Sequence, residues 1–190
     1  MSRKVTWRAR YDSAALLPPA LLATPTAAEW ADLQSLRRWC LQGALPRMSI
    51  PLAIGLLRSS GPEAETRVQQ LCLERDGSWQ LAVCTSAWTR MALRLKTKWH
   101  DLQADRERQA NDAWDAGYAI DTPAGWQALS VFEPRRATLI VALYSRPAVL
   151  QPVLQQLAAR QSHWKHPVRL LLGGSGTGLQ LLDLPIAALD

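Results

Sequence analysis

The chain has 190 residues, of which 48% are hydrophobic and 20% charged, and its formal net charge is +6. This length and composition are typical of a soluble globular domain that buries a core. No apolar run is long enough to cross a bilayer, and the first residues lack the apolar core of a signal peptide. The three cysteines are odd in number and lack metal-ligand spacing, which argues against a disulfide framework and a zinc site. We therefore expect a cytoplasmic protein with no membrane partner.

The first quarter of the chain predicts a strand and two helices. Residues 3–11 alternate between apolar and basic side chains, which is typical of a strand with a basic outer face. Thr26 and Glu29 have the spacing of a capping box, so a helix is predicted over residues 27–42. Residues 49–58 are apolar on almost every side, and they predict a second, buried helix.

A hairpin and one long helix are predicted next. The dipeptide Asp76-Gly77 suits a two-residue turn, and it predicts a hairpin of residues 68–75 and 78–85. Residues 85–115 predict a long amphipathic helix, because apolar residues recur there at alternating steps of four and three. Those residues are Trp88, Ala92, Leu95, Trp99 and Leu102. We expect this face to lie against the core, with Trp88 and Trp99 buried.

The remaining chain predicts a loop, two strands, a helix and two further strands. Their bounds are 115–126 for the loop, 128–133 and 137–145 for the first strands, 147–160 for the helix, and 168–172 and 179–184 for the last strands. This order favours an α+β fold, in which a mixed or mainly antiparallel sheet carries packed helices and the long amphipathic helix. A single domain over residues 1–190 is expected, and residues 120–127 are the alternative boundary.

The last strands and helix also resemble a known family. The strand 137–145, the helix 147–160, the strand 168–172 and the glycine-rich turn 173–178 are similar to the last part of the ferredoxin-like repeats in CRISPR RNA-binding proteins. The resemblance implies ferredoxin-like elements and membership of a ribonucleoprotein. It rests on glycine and hydrophobic pattern over about a third of the chain, and the longer glycine signature of that family is not matched. We do not assign the chain to the family.

No motif in the sequence specifies a catalytic centre. The turn 173–178 lacks the lysine of a phosphate-binding loop and precedes a predicted strand, so a plain loop is favoured over a nucleotide site. His163 and His166 have a spacing that suits metal ligands, but no cysteine or carboxylate within a few residues completes a site. We predict no metal, no cofactor and no catalytic residue, and we regard an enzyme as the less favoured class.

Basic residues are the remaining candidates for function. Residues 86–100 hold four positive charges and no acid, whereas residues 101–115 hold five acids and two bases. Regularly spaced Arg and Lys near Trp suit a sugar–phosphate backbone with stacked bases. The predicted nucleic-acid-binding residues are Arg8, Arg10, Arg90, Arg94, Lys96, Lys98, Arg135 and Arg136.

These patterns predict a non-catalytic, nucleic-acid-binding subunit of a bacterial multi-protein complex that handles RNA or DNA, with a CRISPR-type ribonucleoprotein as one candidate. The chain has nine tryptophans and one phenylalanine, and this surplus favours the second-ranked alternative. In that alternative the protein is an adaptor or scaffold subunit, and the tryptophans with the long helix bind other protein subunits. A His-dependent ribonuclease using His163 or His166 is the least favoured reading.

Overall fold

The computed structural model describes residues 14–19, 31–42, 50–58, 62–83, 86–102, 112–143, 147–174 and 180–184. The strands are β1 (Leu16–Leu17), β2 (Leu52–Arg58), β3 (Asp115–Ala119), β4 (Thr138–Ala142), β5 (Val168–Gly174) and β6 (Gln180–Leu184). The helices are α1 (Ala31–Leu41), α2 (Pro62–Arg75), α3 (Ser78–Val83), α4 (Ala87–Leu102), α5 (Pro123–Ser130) and α6 (Pro147–Arg160). Within these residues, no helix is both long and apolar enough to cross a membrane.

The six strands form one mixed sheet in the order β1-β3-β4-β5-β2-β6. The four inner strands are parallel, and the two edge strands β1 and β6 run antiparallel to their neighbours. This mixed sheet with packed helices confirms the predicted α+β class. Its inner strands are not antiparallel, because helices α5 and α6 return the chain to the same end of the sheet before each new strand.

Helices cover both faces of the sheet, because the inner strands carry apolar side chains on both sides. On one face, Ile140 and Leu170 contact a core that includes Leu129 of α5 and Leu157 of α6. The other face packs against α1 and α2 in a second core. Its buried members include Leu33, Leu36, Cys40, Val68, Leu71, Cys72, Leu139, Val141 and Leu171.

Buried Arg169 on β5 joins α1 to the sheet. Its guanidinium donates hydrogen bonds to the carbonyl oxygens of Cys40 at 3.2 Å and Gln42 at 2.6 Å, at the end of α1. It also donates to the carbonyls of Ile50 at 3.0 Å and Val168 at 3.1 Å. A cation at the carboxyl end of a helix satisfies the last carbonyls and is favoured by the helix dipole.

Two predicted elements of the first half are wrong. Residues 68–75 belong to α2 and 78–83 to α3, so Asp76-Gly77 separates two helices and does not close a hairpin. Gly77 has a φ of 79°, which glycine adopts without strain at the end of a helix. Residues 52–58 form the inner strand β2 where a buried helix was predicted, with Leu52 and Ile54 in the core.

The second half differs at three points. The structure describes the predicted long helix from Ala87 to Leu102, but its predicted last residues are wrong, because Asp115 lies in β3. Residues 123–130 form α5, whereas a loop and the start of a strand were predicted there. The strands β4 and β5 are direct neighbours, and β6 pairs with β2. This differs from the split arrangement of a ferredoxin-like repeat, so the resemblance to that repeat does not hold for residues 138–174.

The other predictions from the sequence agree with the structure where it describes them. The structure confirms the strands at β4, β5 and β6, the helix α6 and most of α1. The strand predicted at residues 3–11 and the capping box at Thr26 and Glu29 lie outside the described residues. The single domain over residues 1–190 stays a prediction.

Candidate interaction surface on helix α4

The candidate site is helix α4, which begins directly after Ser86 and runs to Leu102. Its sequence favours a helix, because Ala, Leu, Met, Arg and Lys dominate it and proline and glycine are absent. Apolar residues occupy positions 88, 92, 95, 99 and 102, and this spacing places them on one face. We call this face the apolar seam.

The described side chains of the apolar seam are exposed. Trp88 exposes 76% of its surface, Leu95 58% and Trp99 63%, and Met91 beside them is also exposed. The prediction that Trp88 and Trp99 lie in the core is therefore wrong. Large apolar side chains that cluster on one exposed face are typical of a surface that another molecule covers.

The two cores of the sheet include none of the described residues of this face. Helices α5 and α6 pack over one face of the sheet, and α1 and α2 pack over the other. Between the described elements, α4 makes no extended contact with any other helix or strand. The described residues of the apolar seam therefore lie outside both cores, although their spacing is that of a core-facing helix.

The same helix carries a concentrated positive charge. Arg90, Arg94, Lys96 and Lys98 are all within α4, and no acid occurs among residues 86–100. The structure thus places four of the predicted nucleic-acid-binding residues on the same helix as the exposed tryptophans. This part of the sequence combines large apolar residues with a net positive charge.

Arg135 and Arg136 have different environments from each other. Both precede β4 and approach the buried carboxylate of Asp115, which is 3.8 Å from Nη2 of Arg135 and 3.5 Å from Nε of Arg136. The Arg136 side chain is buried, so its guanidinium forms an ion pair with Asp115 inside the protein. The side chain of Arg135 is 54% exposed and remains accessible to an anion.

The two remaining predicted basic residues, Arg8 and Arg10, lie outside the described residues, so their role stays a prediction.

A further arginine, Arg37, holds α1 to α2 through two hydrogen bonds that it donates to Glu74, of 2.8 Å from Nε and 2.5 Å from Nη2. Hydrogen bonding to the Glu74 carboxylate raises the pKa of the Arg37 guanidinium above its ordinary value. Arg37 is therefore a structural residue, whereas its neighbour Arg38 is exposed.

The residues considered for catalysis or metal binding are dispersed. His163 is exposed at the end of α6, and His166 is half-buried in the following turn. Cys40 and Cys72 are buried thiols on α1 and α2, and burial raises the pKa of Cys40 to about 12. Across the described part of the chain, no group of three or more His, Cys, Asp or Glu side chains is placed to hold a metal ion.

The glycine-rich stretch has a packing role at its first residue. Gly173 lies in β5, where a Cβ atom would overlap the carbonyl oxygen of Leu143 at the end of β4. Only glycine allows these two backbones to approach so closely. Residues 175–178 are outside the described part, so a phosphate-binding role for the rest of the turn stays untested.

The sequence predicts helix α4, the spacing of its apolar residues and its basic character, but it does not predict that the apolar seam is exposed. The only signal for exposure was the surplus of tryptophan, which indicates an interface as well as it indicates a core. No family model, no curated protein and no solved structure matches this chain.

Proposed function

We propose that this protein is an adaptor subunit that binds a partner protein through helix α4. The observation that carries the proposal is the exposure of Trp88, Leu95 and Trp99 on one face of a helix that makes no extended contact with any other described helix or strand. Tryptophan is the residue type most enriched among the dominant contacts of protein interfaces.

The composition of the apolar seam favours a protein partner over a nucleic acid. Met91 and Leu95 lie between the two tryptophans along the helix and are themselves exposed. Bases stack on aromatic rings, but a sugar–phosphate backbone gives no apolar cover to Met and Leu side chains. A partner with its own apolar side chains covers the whole seam, so protein is the class that fits every exposed residue.

The expected energetic weight of the two tryptophans is large. Truncating a central interface tryptophan typically costs about 2 kcal/mol or more, which is about a thirtyfold loss of affinity. Because Trp88 and Trp99 are mostly exposed, we expect Trp88→Ala and Trp99→Ala to change the folding free energy by no more than about 0.5 kcal/mol. Binding and folding are therefore separable at these positions.

A photo-crosslinking experiment in the organism of origin tests the adaptor. A benzoylphenylalanine at position 91 lies beside the seam, and one at position 131 is the control, because Val131 is also exposed but follows α5. We expect a discrete crosslinked product from position 91 alone, and its loss in a Trp88→Ala, Trp99→Ala background. Identical products from both positions, or a product that survives the double change, would contradict the proposal.

Nucleic-acid binding is the second candidate function, and the four basic positions of α4 favour it. Its test is the binding of labelled single-stranded RNA, single-stranded DNA and duplex DNA at two salt concentrations. A phosphate-binding helix predicts affinity that falls steeply with salt and weakens after Arg90→Ala, Arg94→Ala and Lys98→Ala together. The absence of binding at low salt would remove this candidate for the isolated chain.

A further inference from the structure

The apolar seam of α4 has the spacing of a coiled-coil strand. Residues 88, 92, 95, 99 and 102 alternate by four and three, which is the a and d pattern of the heptad repeat. In this repeat Ala92 and Trp99 take a positions, whereas Trp88, Leu95 and Leu102 take d positions. The seam spans about 21 Å along the helix at 1.5 Å per residue. It therefore matches a partner helix of about two heptads.

Two of the four residues that flank the seam are basic. Lys96 takes an e position and Lys98 a g position, one on each side of the seam, whereas Thr89 and Met91 take the other e and g positions. Arg94 takes a c position. Residues at e and g face the flanks of the partner helix and decide which partner is accepted. No acid occurs in residues 86–100, and the single acid of α4, Asp101, takes a c position, so no e or g position of the helix carries a negative charge.

A second copy of this chain is a poor partner for the seam. Continuing the same repeat in the sequence brings Arg106 and Gln109 to the next two seam positions, so the apolar residues end at Leu102. If the seams of two copies pack against each other, the basic residues 86–100 of one helix therefore lie beside those of the other, in a parallel and in an antiparallel pair alike. Like charges across an interface disfavour that pairing.

We propose that the partner of α4 is an acidic amphipathic helix of another protein, with apolar a and d positions and Glu or Asp at its e and g positions. The inference rests on the proposed adaptor function and adds the chemistry of the partner. The apolar seam supplies affinity, and Lys96 and Lys98 select for acidic flanks.

Three synthetic helical peptides of three heptads test this inference with the full chain. All three have the same length, and the first two have Leu at a and d. The first has Glu at every e and g position, the second has Lys there, and the third has the Glu flanks but Ser at a and d. Binding of each labelled peptide is measured by fluorescence polarisation. We expect the acidic peptide to bind about tenfold or more tightly than the basic one, and the Ser peptide not to bind.

A charge exchange provides the decisive variant. In Lys96→Glu, Lys98→Glu the preference should invert, so that the basic peptide binds more tightly than the acidic one. The matched control is Arg38→Glu, Lys165→Glu, which changes the net charge equally at two exposed positions outside α4 and should leave the preference unchanged. Circular dichroism confirms that each variant keeps its helix content.

Every other outcome overturns the inference. Equal binding of the acidic and basic peptides, or a preference that the control also inverts, would show that the flanking lysines do not select. A dimer that sedimentation detects and that Trp99→Ala abolishes would assign the seam to a second copy. If neither peptide binds while the crosslink from position 91 persists, this inference fails alone. If the crosslink is absent as well, the adaptor function fails with it.

Discussion

Replacing Arg169 by methionine tests how α1 is held to the sheet. The change removes the guanidinium that donates to the carbonyls of Cys40, Gln42, Ile50 and Val168, and it keeps an unbranched side chain of similar reach. The bond to Cys40 is buried, so this carbonyl loses a donor that water cannot replace. The buried Val168 carbonyl also faces β2 in the parallel ladder, so it keeps a backbone donor. The other two lie in partly exposed surroundings and can regain water.

The unpaired buried carbonyl of Cys40 costs about 1–3 kcal/mol, and each of the two partly exposed hydrogen bonds contributes about 0.5–1.5 kcal/mol, so the gross loss is about 2–6 kcal/mol. Removing a buried charge also removes its desolvation cost, which offsets part of that loss. We expect a net destabilisation of about 3 kcal/mol, which lowers the Tm of a chain of this length by about 6–12 °C.

Urea denaturation followed by far-UV circular dichroism measures this free energy of unfolding. Arg38→Met is the control, because Arg38 is exposed on the same helix, and it should change the unfolding free energy by no more than about 0.5 kcal/mol. An Arg169→Met protein with the stability of the control would refute the reasoning. It would mean that the relief of desolvation outweighs the hydrogen bonds to the four carbonyls.

Three further predictions concern other parts of the fold. Burial raises the pKa of Cys40 to about 12, from an ordinary value of 9.0, so its contribution to stability is complete below pH 9 and is lost as the pH rises towards 12. Between pH 9 and 12 the unfolding free energy of the unchanged protein should therefore fall more steeply with pH than that of Cys40→Ala. The two slopes should differ by about 1.4 kcal/mol per pH unit, and equal slopes would contradict the raised pKa. Gly173→Ala should lower the Tm, because the new Cβ would overlap the carbonyl of Leu143. Gly174→Ala is the control and should change the Tm little, since the atom nearest to its new Cβ is the mobile end of a leucine side chain at 3.1 Å. Equal Tm values for the two variants would refute this difference. In the unchanged protein, Oγ1 of Thr122 caps α5 by accepting a hydrogen bond from the Gly125 amide at 3.1 Å. Thr122→Ala removes this cap and should lower the unfolding free energy by about 1 kcal/mol in the same urea assay.

The predictable parts of this fold are those in which one local signal dominates. β4 is apolar after Thr138, and β5 is apolar apart from Arg169 and its two last glycines, which indicates strands covered on both faces. Helix α6 begins with Pro147 and has apolar residues at helical spacing, and both signals agree. In these segments the local pattern and the final packing favour the same structure.

The wrong predictions come from signals that two structures share. Asp76-Gly77 suits a hairpin turn, but it also suits the end of a helix, and the spacing of Val68, Leu71 and Cys72 is helical. A short apolar run such as 52–58 fits a buried helix or an inner strand equally well, and only its pairing with β5 decides. Thr122 and Pro123 were the signal for α5, since they form its cap and its first turn.

The candidate site was predictable in position but not in environment. Helical spacing shows that Trp88, Leu95 and Trp99 share a face, but it carries no information on what covers that face. Coverage depends on how much sheet surface remains after the other helices have packed, which is a property of the whole chain. The burial of Arg136 was likewise not predictable from its local sequence, because Arg136 lies next to Asp115, which belongs to another strand.

The place of β2 in the sheet has a consequence for synthesis of the chain. Both neighbours of β2, the strands β5 and β6, are the last two strands in the sequence. While the ribosome is still making residues 112–167, the apolar strand with Leu52, Ile54 and Leu57 has been translated and neither partner exists. An unpaired strand of this kind is prone to aggregate, and it is a natural substrate for chaperones. Nascent chains that stall before residue 168 should therefore be retained by chaperones, whereas chains released after residue 184 can close the sheet around β2.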